Sequence, residues 1–93
     1  MRMVYKYKVI VADGRQAITI PKDAKILCVA WHGDYISMWA DVDTSKPKEK
    51  RFFCVYGTGH IIPETIPAVY IGTAFEGRGS FVWHVFEHCS NLK

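Results

Sequence analysis

The fold class is indicated most directly by the stretch Arg51-Phe52-Phe53-Cys54-Val55-Tyr56-Gly57-Thr58-Gly59-His60-Ile61-Ile62-Pro63. Its first half is β-branched and aromatic, which is typical of a strand. Its second half places two glycines around a threonine, ahead of a histidine and a proline, where a chain turns sharply and exposes backbone N–H groups. The stretch therefore predicts a central strand that ends in a glycine-rich turn, and the turn is a candidate ligand site.

Further segments with the composition of strands lie on both sides of this one. In residues 3–11, Tyr5 and Tyr7 share one face with Val9 and Val11, while Lys6 and Lys8 lie on the other, which predicts a half-buried strand. The remaining segments are residues 16–20, 25–31, 35–42, 68–75 and 80–88. Turn signals predict three hairpins, at Asp13-Gly14, His32-Gly33-Asp34 and Glu76-Gly77-Arg78-Gly79.

The order of these segments predicts the fold class. No segment has convincing helical periodicity with caps, and about seven short strands joined by tight turns predict an all-β fold, an antiparallel sandwich or small open barrel. We expect one domain over residues 1–93, a central strand at 25–31, and a bulge at Gly72. The polar loop 43–50 and the crossing 61–67, which contains two prolines, are expected to be where the chain changes sheet.

Composition narrows the function classes. Of the 93 residues 49% are hydrophobic and 23% are charged, which excludes a disordered chain. The net charge of +3 is small and acidic residues are scattered among the basic ones, so nucleic acid is not an expected partner. The basic loop 43–50 is interpreted as a solvated loop in preference to a phosphate-binding arm, because Asp43 and Glu49 dilute its lysines.

The cysteines and the hydropathy of the sequence predict the cellular compartment of the protein. The three cysteines form no Cys-x-x-Cys pair, and reduced thiols in the cytoplasm are the simplest interpretation. We expect Cys28 and Cys54 to be buried core thiols and Cys89 to be exposed. No apolar run approaches the roughly 18–20 residues needed to cross a bilayer, so no membrane association is expected.

The glycine turn matches no specific nucleotide motif. The third glycine of a dinucleotide fingerprint is missing, and so is the Gly-Lys-Ser/Thr of a Walker A loop. Two interpretations stay open. The turn could form an anion-binding nest, with the Thr58 hydroxyl and His60 as added donors, or it could be a loop that only needs positive φ.

Neither a metal site nor a catalytic site is predicted. His84 and His88 are four residues apart on a strand, which separates them by about 13 Å, too far to bind one metal together. No nucleophile elbow or pair of carboxylates is present, so we expect no enzyme and no cofactor. On the closing strand, Phe81 and Trp83 lie on one face, and His84 and Phe86 on the other. Both faces are apolar enough to bury, and we expect a homo-oligomer.

Several segments together resemble a family of small proteins of unknown function encoded by bacteriophages and prophages. The resemblance runs over nearly the whole chain. Its most specific parts are Gly57-Thr58-Gly59-His60-Ile61-Ile62-Pro63, which fits Gly-Thr-Gly-His-x-x-Pro, and Phe81-Val82-Trp83-His84-Val85-Phe86-Glu87. Small accessory proteins of phages are often non-enzymatic inhibitors of host defence, so the resemblance implies a binding protein with no catalytic residues.

The resulting hypothesis is a non-enzymatic phage accessory protein that counters host defence by sequestering a phosphate-bearing, nucleotide-derived small ligand. Anionic groups would be held by the 57–59 amides, by Thr58 and by His60, with charge from Arg51 or Arg78. Tyr56 or Trp83 would stack on a base. The alternatives are a protein–protein inhibitor that docks on a host defence complex, and a small virion or assembly protein. The candidate ligand-binding residues are Arg51, Tyr56, Gly57, Thr58, Gly59, His60, Arg78 and Trp83.

Overall fold

The computed structural model describes residues 1–88, in which seven antiparallel strands form two sheets and no helix occurs. The three-stranded sheet has the order β1-β4-β3, and the four-stranded sheet has the order β2-β5-β7-β6. The predicted all-β antiparallel sandwich is confirmed. The strands are β1 (Arg2–Val9), β2 (Gln16–Pro21), β3 (Lys25–His32), β4 (Tyr35–Asp43), β5 (Lys48–Gly57), β6 (Ala68–Glu76) and β7 (Phe81–His88).

The core lies between the two sheets and is built from alternate residues of each strand, because successive side chains of a strand point to opposite faces. Phe53 of the four-stranded sheet is fully buried, as are Ile36 and Met38 of the three-stranded sheet. The predicted alternation of the first strand is confirmed: Val9 is buried, whereas Lys6 and Lys8 are exposed. The main cluster comprises Val9, Val29, Ile36, Met38, Phe53, Val55, Ala74 and Val85.

Two of the three predicted hairpins are confirmed, β3–β4 and β6–β7. The hairpin predicted between the first two strands is wrong, because β1 pairs with β4 and β2 pairs with β5. Residues 10–15 instead carry the chain from one sheet to the other. The Gln16 side chain donates to the Ile10 carbonyl at 2.8 Å and accepts from the Ile10 amide at 3.0 Å. It thereby satisfies the backbone groups that a hairpin partner would have satisfied.

The segment 25–31 is not the central strand that its apolar run predicts. β3 lies at the edge of its sheet, and β4 lies in the middle. The register shifts between Ile26 and Cys28, so that Leu27 lies at an irregularity and is 47% exposed. Cys28 is likewise exposed, which corrects its prediction as a core thiol, whereas Cys54 is buried as predicted. Cys89 lies outside the described residues.

The connections that carry the chain from one sheet to the other differ in part from those predicted. The connection between β4 and β5 does change sheet, but it is shorter than the predicted loop, because Lys48 and Lys50 extend β5 by pairing with Pro21 and Thr19. Residues 58–67 join two strands of the same sheet, with β7 between them, so the predicted sheet change at the prolines is wrong.

The predicted bulge at Gly72 is confirmed by a register shift between Tyr70 and Gly72. At this point β6 lies against β3 of the other sheet. A Cβ atom on Gly72 would lie 2.9 Å from Val29 Cγ2, closer than real Cβ contacts come. Glycine is therefore required here by a close approach between the sheets. Within residues 1–88, no helix is long and apolar enough to cross a membrane.

Candidate functional site

The outer face of the four-stranded sheet, turned away from the core, is rich in aromatic and histidine side chains. Antiparallel partners point to the same face, so the register identifies its members. Tyr56 lies opposite His84, and Cys54 lies opposite Phe86. On the other side of β7, Phe86 also lies opposite Tyr70. Three strands thus contribute to one continuous surface.

A row of hydrogen bonds crosses this face. The Tyr70 hydroxyl lies 2.6 Å from Thr73 Oγ1, and Thr73 Oγ1 lies 3.1 Å from His84 Nδ1. His84 Nε2 lies 2.8 Å from Thr58 Oγ1. Both ring nitrogens of His84 therefore have hydroxyl partners, which fix the orientation of the ring. The Thr58 hydroxyl, a predicted anion donor, belongs to this row.

A cavity of about 700 Å³ opens beside this row. Its floor is formed by outer-face side chains of β5 and β7. One wall is the β1–β2 connection, and the other is the connection between β5 and β6. The lining residues are Asp13, Gly14, Arg15, Cys54, Val55, Tyr56, His60, Ile61, Pro63, Ile66 and His88.

The polar groups on the cavity floor are partnered with one another. Cys54 Sγ donates to the Gly14 carbonyl at 3.4 Å and lies 4.0 Å from His88 Nδ1. The Tyr56 hydroxyl lies 3.4 Å from His88 Nε2. Burial raises the pKa of both Cys54 and Tyr56, and burial followed by the charge of Arg15 lowers the pKa of His88. These three groups are consequently neutral at pH 7.

Arg15 supplies positive charge at the cavity. Its guanidinium carbon lies 4.3 Å from the centroid of the Phe52 ring, in the geometry of a cation–π contact. Stacking against the ring holds the side chain in place and leaves its N–H groups able to donate in the plane of the guanidinium. The cavity thus combines neutral hydrogen-bonding groups, apolar walls and one ordered cation.

Part of the backbone of the predicted glycine turn is hydrogen-bonded within the turn itself. The His60 amide donates to the Gly57 carbonyl at 3.0 Å, and the Gly57 amide donates to His60 Nδ1 at 3.1 Å. Gly59 has a φ of 88°, as the positive-φ interpretation requires. A Cβ on Gly57 would lie 2.8 Å from His60 Cε1, so this glycine makes room for the imidazole. The Gly57 amide is thus directed at His60 and not at an anion.

A smaller cavity of about 290 Å³ brings four predicted residues together, namely Gly57, Thr58, His60 and Trp83. His60 lines both cavities and meets the Trp83 ring edge to face at 6.4 Å. Trp83 Nε1 donates to Glu76 Oε1 at 2.9 Å, and its ring stacks on Phe81. Trp83 also packs against the core, so it faces the inside of the sandwich, whereas Tyr56 faces outward. The two predicted stacking residues therefore lie on opposite faces of the sheet.

The two predicted arginines are not brought together. Arg51 lies on the inner face of β5 and forms a two-pronged ion pair with Glu87, at 2.5 and 2.7 Å. It also donates to the Ala24 carbonyl at 2.5 Å, which ties β5 to the turn before β3. Arg78 is exposed in the β6–β7 turn, two residues before Ser80 of the smaller cavity.

Comparison with known proteins assigns the chain to a family. Residues 1–92 match the domain of unknown function DUF7352. The chain belongs to this family. No curated protein and no solved structure matches it. All seven strands, both cavities and the histidine row lie within the DUF7352 domain.

The cavity residues of the DUF7352 domain that sequence reasoning missed include Arg15, Cys54 and His88. Arg15 follows an Asp-Gly pair that predicts a hairpin, and only the crossover between sheets brings it to β5. Cys54 and His88 are on predicted strands, but their proximity depends on the pairing of β5 with β7. Among residues 1–88, no three His, Cys, Asp or Glu side chains are arranged as metal ligands.

Proposed function

We propose that the protein is a non-enzymatic binding protein that holds a phosphate-bearing, nucleotide-derived small ligand in the larger cavity. The observation that carries this proposal is the cavity itself. Its volume of about 700 Å³ is within the roughly 300–1,000 Å³ typical of small-molecule sites. Its lining is mainly apolar, with a few convergent polar groups, which is the usual composition of such sites.

The polar groups of the cavity suit both the phosphate and the base of a nucleotide. Arg15, held against Phe52, is a planar donor suited to phosphate oxygens. The rings of Tyr56, His60 and His88 offer stacking and hydrogen-bonding surfaces to a base. Because Arg15 is the cation of this lining and Asp13 is close to it in the chain, we expect a ligand with few phosphate charges.

The state of the cavity cysteine supports binding without turnover. A cysteine nucleophile acts as the thiolate, and a low pKa is the usual sign of one. Cys54 is buried, burial raises its pKa, and its thiol donates to the Gly14 carbonyl. The thiol therefore stays protonated at neutral pH. The neighbouring His88 is neutral, and its two ring nitrogens face Cys54 and Tyr56, so it forms part of the floor on which the ligand would rest.

The biological setting that we propose comes from the resemblance to phage proteins. In the cytoplasm of a bacterial host, such a protein would sequester a nucleotide-derived defence signal. Sequestration requires a ligand to be held and not converted, which agrees with the neutral, partnered cavity floor. We also propose that the protein acts as a homo-oligomer.

Native mass spectrometry of protein purified from bacterial cells tests the ligand proposal, with a denatured sample to release any carried molecule. We expect a released mass in the nucleotide range, and we expect Arg15→Gln to lose it. Arg78→Gln is the matched variant, since it removes the same charge from the turn singled out by the sequence. Release from wild type that is lost only in Arg78→Gln would move the site to the smaller cavity.

If the purified protein carries nothing, the same variants are compared by thermal shift with a panel of nucleoside mono- and diphosphates. A rise in melting temperature for wild type and Arg78→Gln, but not for Arg15→Gln, supports the proposal. No shift with any member of the panel, together with an empty purified protein, would reject it.

A second candidate function is a protein–protein contact, as in an inhibitor of a host defence complex or a virion assembly protein. The exposed aromatic side chains on edge strand β6 favour it, since Tyr70 is 55% and Phe75 is 61% exposed. Replacing Phe75 with serine should dissociate an oligomer or a host complex, as measured by native mass spectrometry. An unchanged assembly mass would exclude this edge as the contact.

A further inference from the structure

The outer face of the three-stranded sheet carries a cluster of cations around half-exposed aromatic rings. Lys8 Nζ lies 4.8 Å and Lys6 Nζ lies 5.8 Å from the centroid of the Tyr35 ring. Lys6 Nζ also donates to His32 Nδ1 at 3.0 Å. The two ammonium groups therefore converge on one ring from neighbouring outward positions of β1.

Carboxylates do not neutralise this cluster. Within residues 1–88, the ion pairs involve neither Lys6 nor Lys8. Asp41, an acidic side chain of the same face, accepts a two-pronged hydrogen bond from Arg2 at 2.9 and 2.6 Å. Asp34, in the turn before β4, forms no ion pair with either lysine. Two like charges gathered in this way attract an anion, because each adds to the field at the space between them.

Aromatic side chains continue along the same face. Trp39 lies directly opposite Lys6 on β1, and Tyr35 lies four residues away on β4, on the same side. Ser37, between them, is fully buried by its neighbours, so the surface is continuous. Half-exposed rings beside lysines on an open sheet face suit unpaired bases, which stack on aromatic side chains while cations contact the phosphates.

We propose that this face, comprising Lys6, Lys8, His32, Tyr35 and Trp39, binds single-stranded nucleic acid. The proposal is independent of the cavity, which lies on the other sheet. It differs from the expectation drawn from composition, because a net charge of +3 does not reveal that unpaired lysines gather on one face.

The test is fluorescence anisotropy with a labelled oligothymidine of about 12 nucleotides, within the usual range of site sizes for sheet-based binders. Binding is measured between about 50 and 200 mM salt, a range over which phosphate contacts are strongly weakened. The Lys6→Ala/Lys8→Ala variant should bind at least about 10-fold more weakly. Its salt slope should be smaller by about 1.4, since each phosphate contact on a single strand contributes about 0.7.

The control is Lys48→Ala/Lys50→Ala, which removes two exposed lysines at the same spacing from β5 of the other sheet. It should weaken binding by less than about 3-fold, as distant charges are screened at these salt concentrations. Trp39→Leu should weaken binding by about 10-fold through lost stacking, with the salt slope retained. A Lys6→Gln/Lys8→Gln variant, which keeps most of the side-chain stems, replaces the alanine pair if circular dichroism shows that the latter is unfolded.

Two results would overturn the proposal. One is the absence of wild-type binding at the lowest salt concentration. The other is an equal loss of affinity in the β1 and β5 lysine pairs, which would reveal generic attraction to a basic protein and no site on the three-stranded sheet.

Discussion

The two outer faces of the sandwich obey the same alternation but have opposite chemistry. The outer face of the three-stranded sheet presents Lys6 and Lys8 to solvent around Tyr35. The outer face of the four-stranded sheet holds His84 and His88 among hydroxyl, thiol and aromatic groups. Around Tyr35 the first face is charged and open, whereas the part of the second face that holds the histidines is internally hydrogen-bonded. The gathering of Lys6 and Lys8 around one ring is a local feature that the small net charge of +3 does not reveal.

The ion pairs of the two sheets differ in how far their side chains are exposed to water. On the three-stranded sheet, Arg2 pairs with Asp41 while 83% of its side chain is exposed. On the inner face of the four-stranded sheet, only 19% of the Arg51 side chain and 16% of the Glu87 side chain are exposed. Water screens the first pair, so it contributes little to stability. The second pair is poorly hydrated, so removing one partner would lower the free energy of unfolding by exposing the other charge to an environment that solvates it poorly.

The largest effect is expected from breaking the Arg51 ion pair. Arg51→Met should lower the free energy of unfolding by about 3 kcal/mol, since it removes the guanidinium that faces the Glu87 carboxylate in a poorly hydrated place. Arg2→Met, on the exposed pair, should leave the unfolding free energy nearly unchanged. Urea titrations of both variants measure the difference. An Arg51→Met protein that keeps its stability but loses a bound ligand would restore the sequence-based role of Arg51 as a ligand residue.

The next effect concerns the place where the two sheets come closest. Gly72→Ala should destabilise the fold by about 2 kcal/mol, because the added Cβ would lie 2.9 Å from Val29 Cγ2. Adding Val29→Ala removes that methyl group, so the double variant should be less destabilised than the sum of the single changes. Strict additivity of the three unfolding free energies would show that Val29 is not what restricts Gly72.

A smaller effect tests the hydrogen-bonded row on the outer face of the four-stranded sheet. Thr58→Val removes the hydroxyl that lies 2.8 Å from His84 Nε2 and should cost about 1 kcal/mol of unfolding free energy. Thr44→Val is the matched change on the other sheet, where the hydroxyl donates to the Met1 carbonyl at 3.2 Å near the chain terminus. We expect less than half the effect there, by urea titration. Equal costs would mean that the row contributes no more than a surface contact.

The pH dependence of stability tests the buried histidine. Because burial lowers the pKa of His88 in the folded state, the unfolded chain takes up this proton at a higher pH than the folded protein does. Stability is therefore lost as pH falls through the ordinary histidine range toward the lower folded value. His88→Gln should flatten the decline in urea midpoint between about pH 7 and 5.

The carboxylates affect the stability of the fold in a separate, more acidic pH range. Hydrogen bonds from Lys46, Arg2 and Ser45 lower the pKa values of Asp23, Asp41 and Asp43, respectively. Their contribution is lost only as pH falls below about 4. A His88→Gln variant with the same midpoints as wild type from pH 8 to 5 would contradict the assignment of the neutral-range slope to His88.

Local chemistry made much of the fold predictable. Alternation in the first strand identified its buried and exposed faces, and Gly33, Gly77 and Gly79 marked the two hairpins that form. Gly72 marked a bulge. The first hairpin failed for a physical reason: an Asp-Gly turn specifies a reversal of the chain, but not which strand is paired afterwards. The side chain of Gln16 supports a crossover that no local pattern reveals.

The candidate site was predictable only in part. The glycine turn was found from its residues, and three of them line one cavity with Trp83 and its neighbours. The ion pair of Arg51, a predicted ligand residue, could not be foreseen from the sequence, since its partner Glu87 is 36 residues away in the chain. The larger cavity was missed, because its walls come from two connections that meet only after the sheets assemble.

The all-β class, the approximate strand positions and the two faces of the first strand follow from the sequence alone, because side-chain period and turn chemistry act within a few residues. Tertiary structure decided the strand order, the crossover at residues 10–15 and the convergence of Arg15, Tyr56, His60 and His88 around one cavity. It also decided that Lys6 and Lys8 gather around Tyr35. Such juxtapositions depend on contacts between residues far apart in the chain, whose pairing is set by the packing of the whole core and not by local preference.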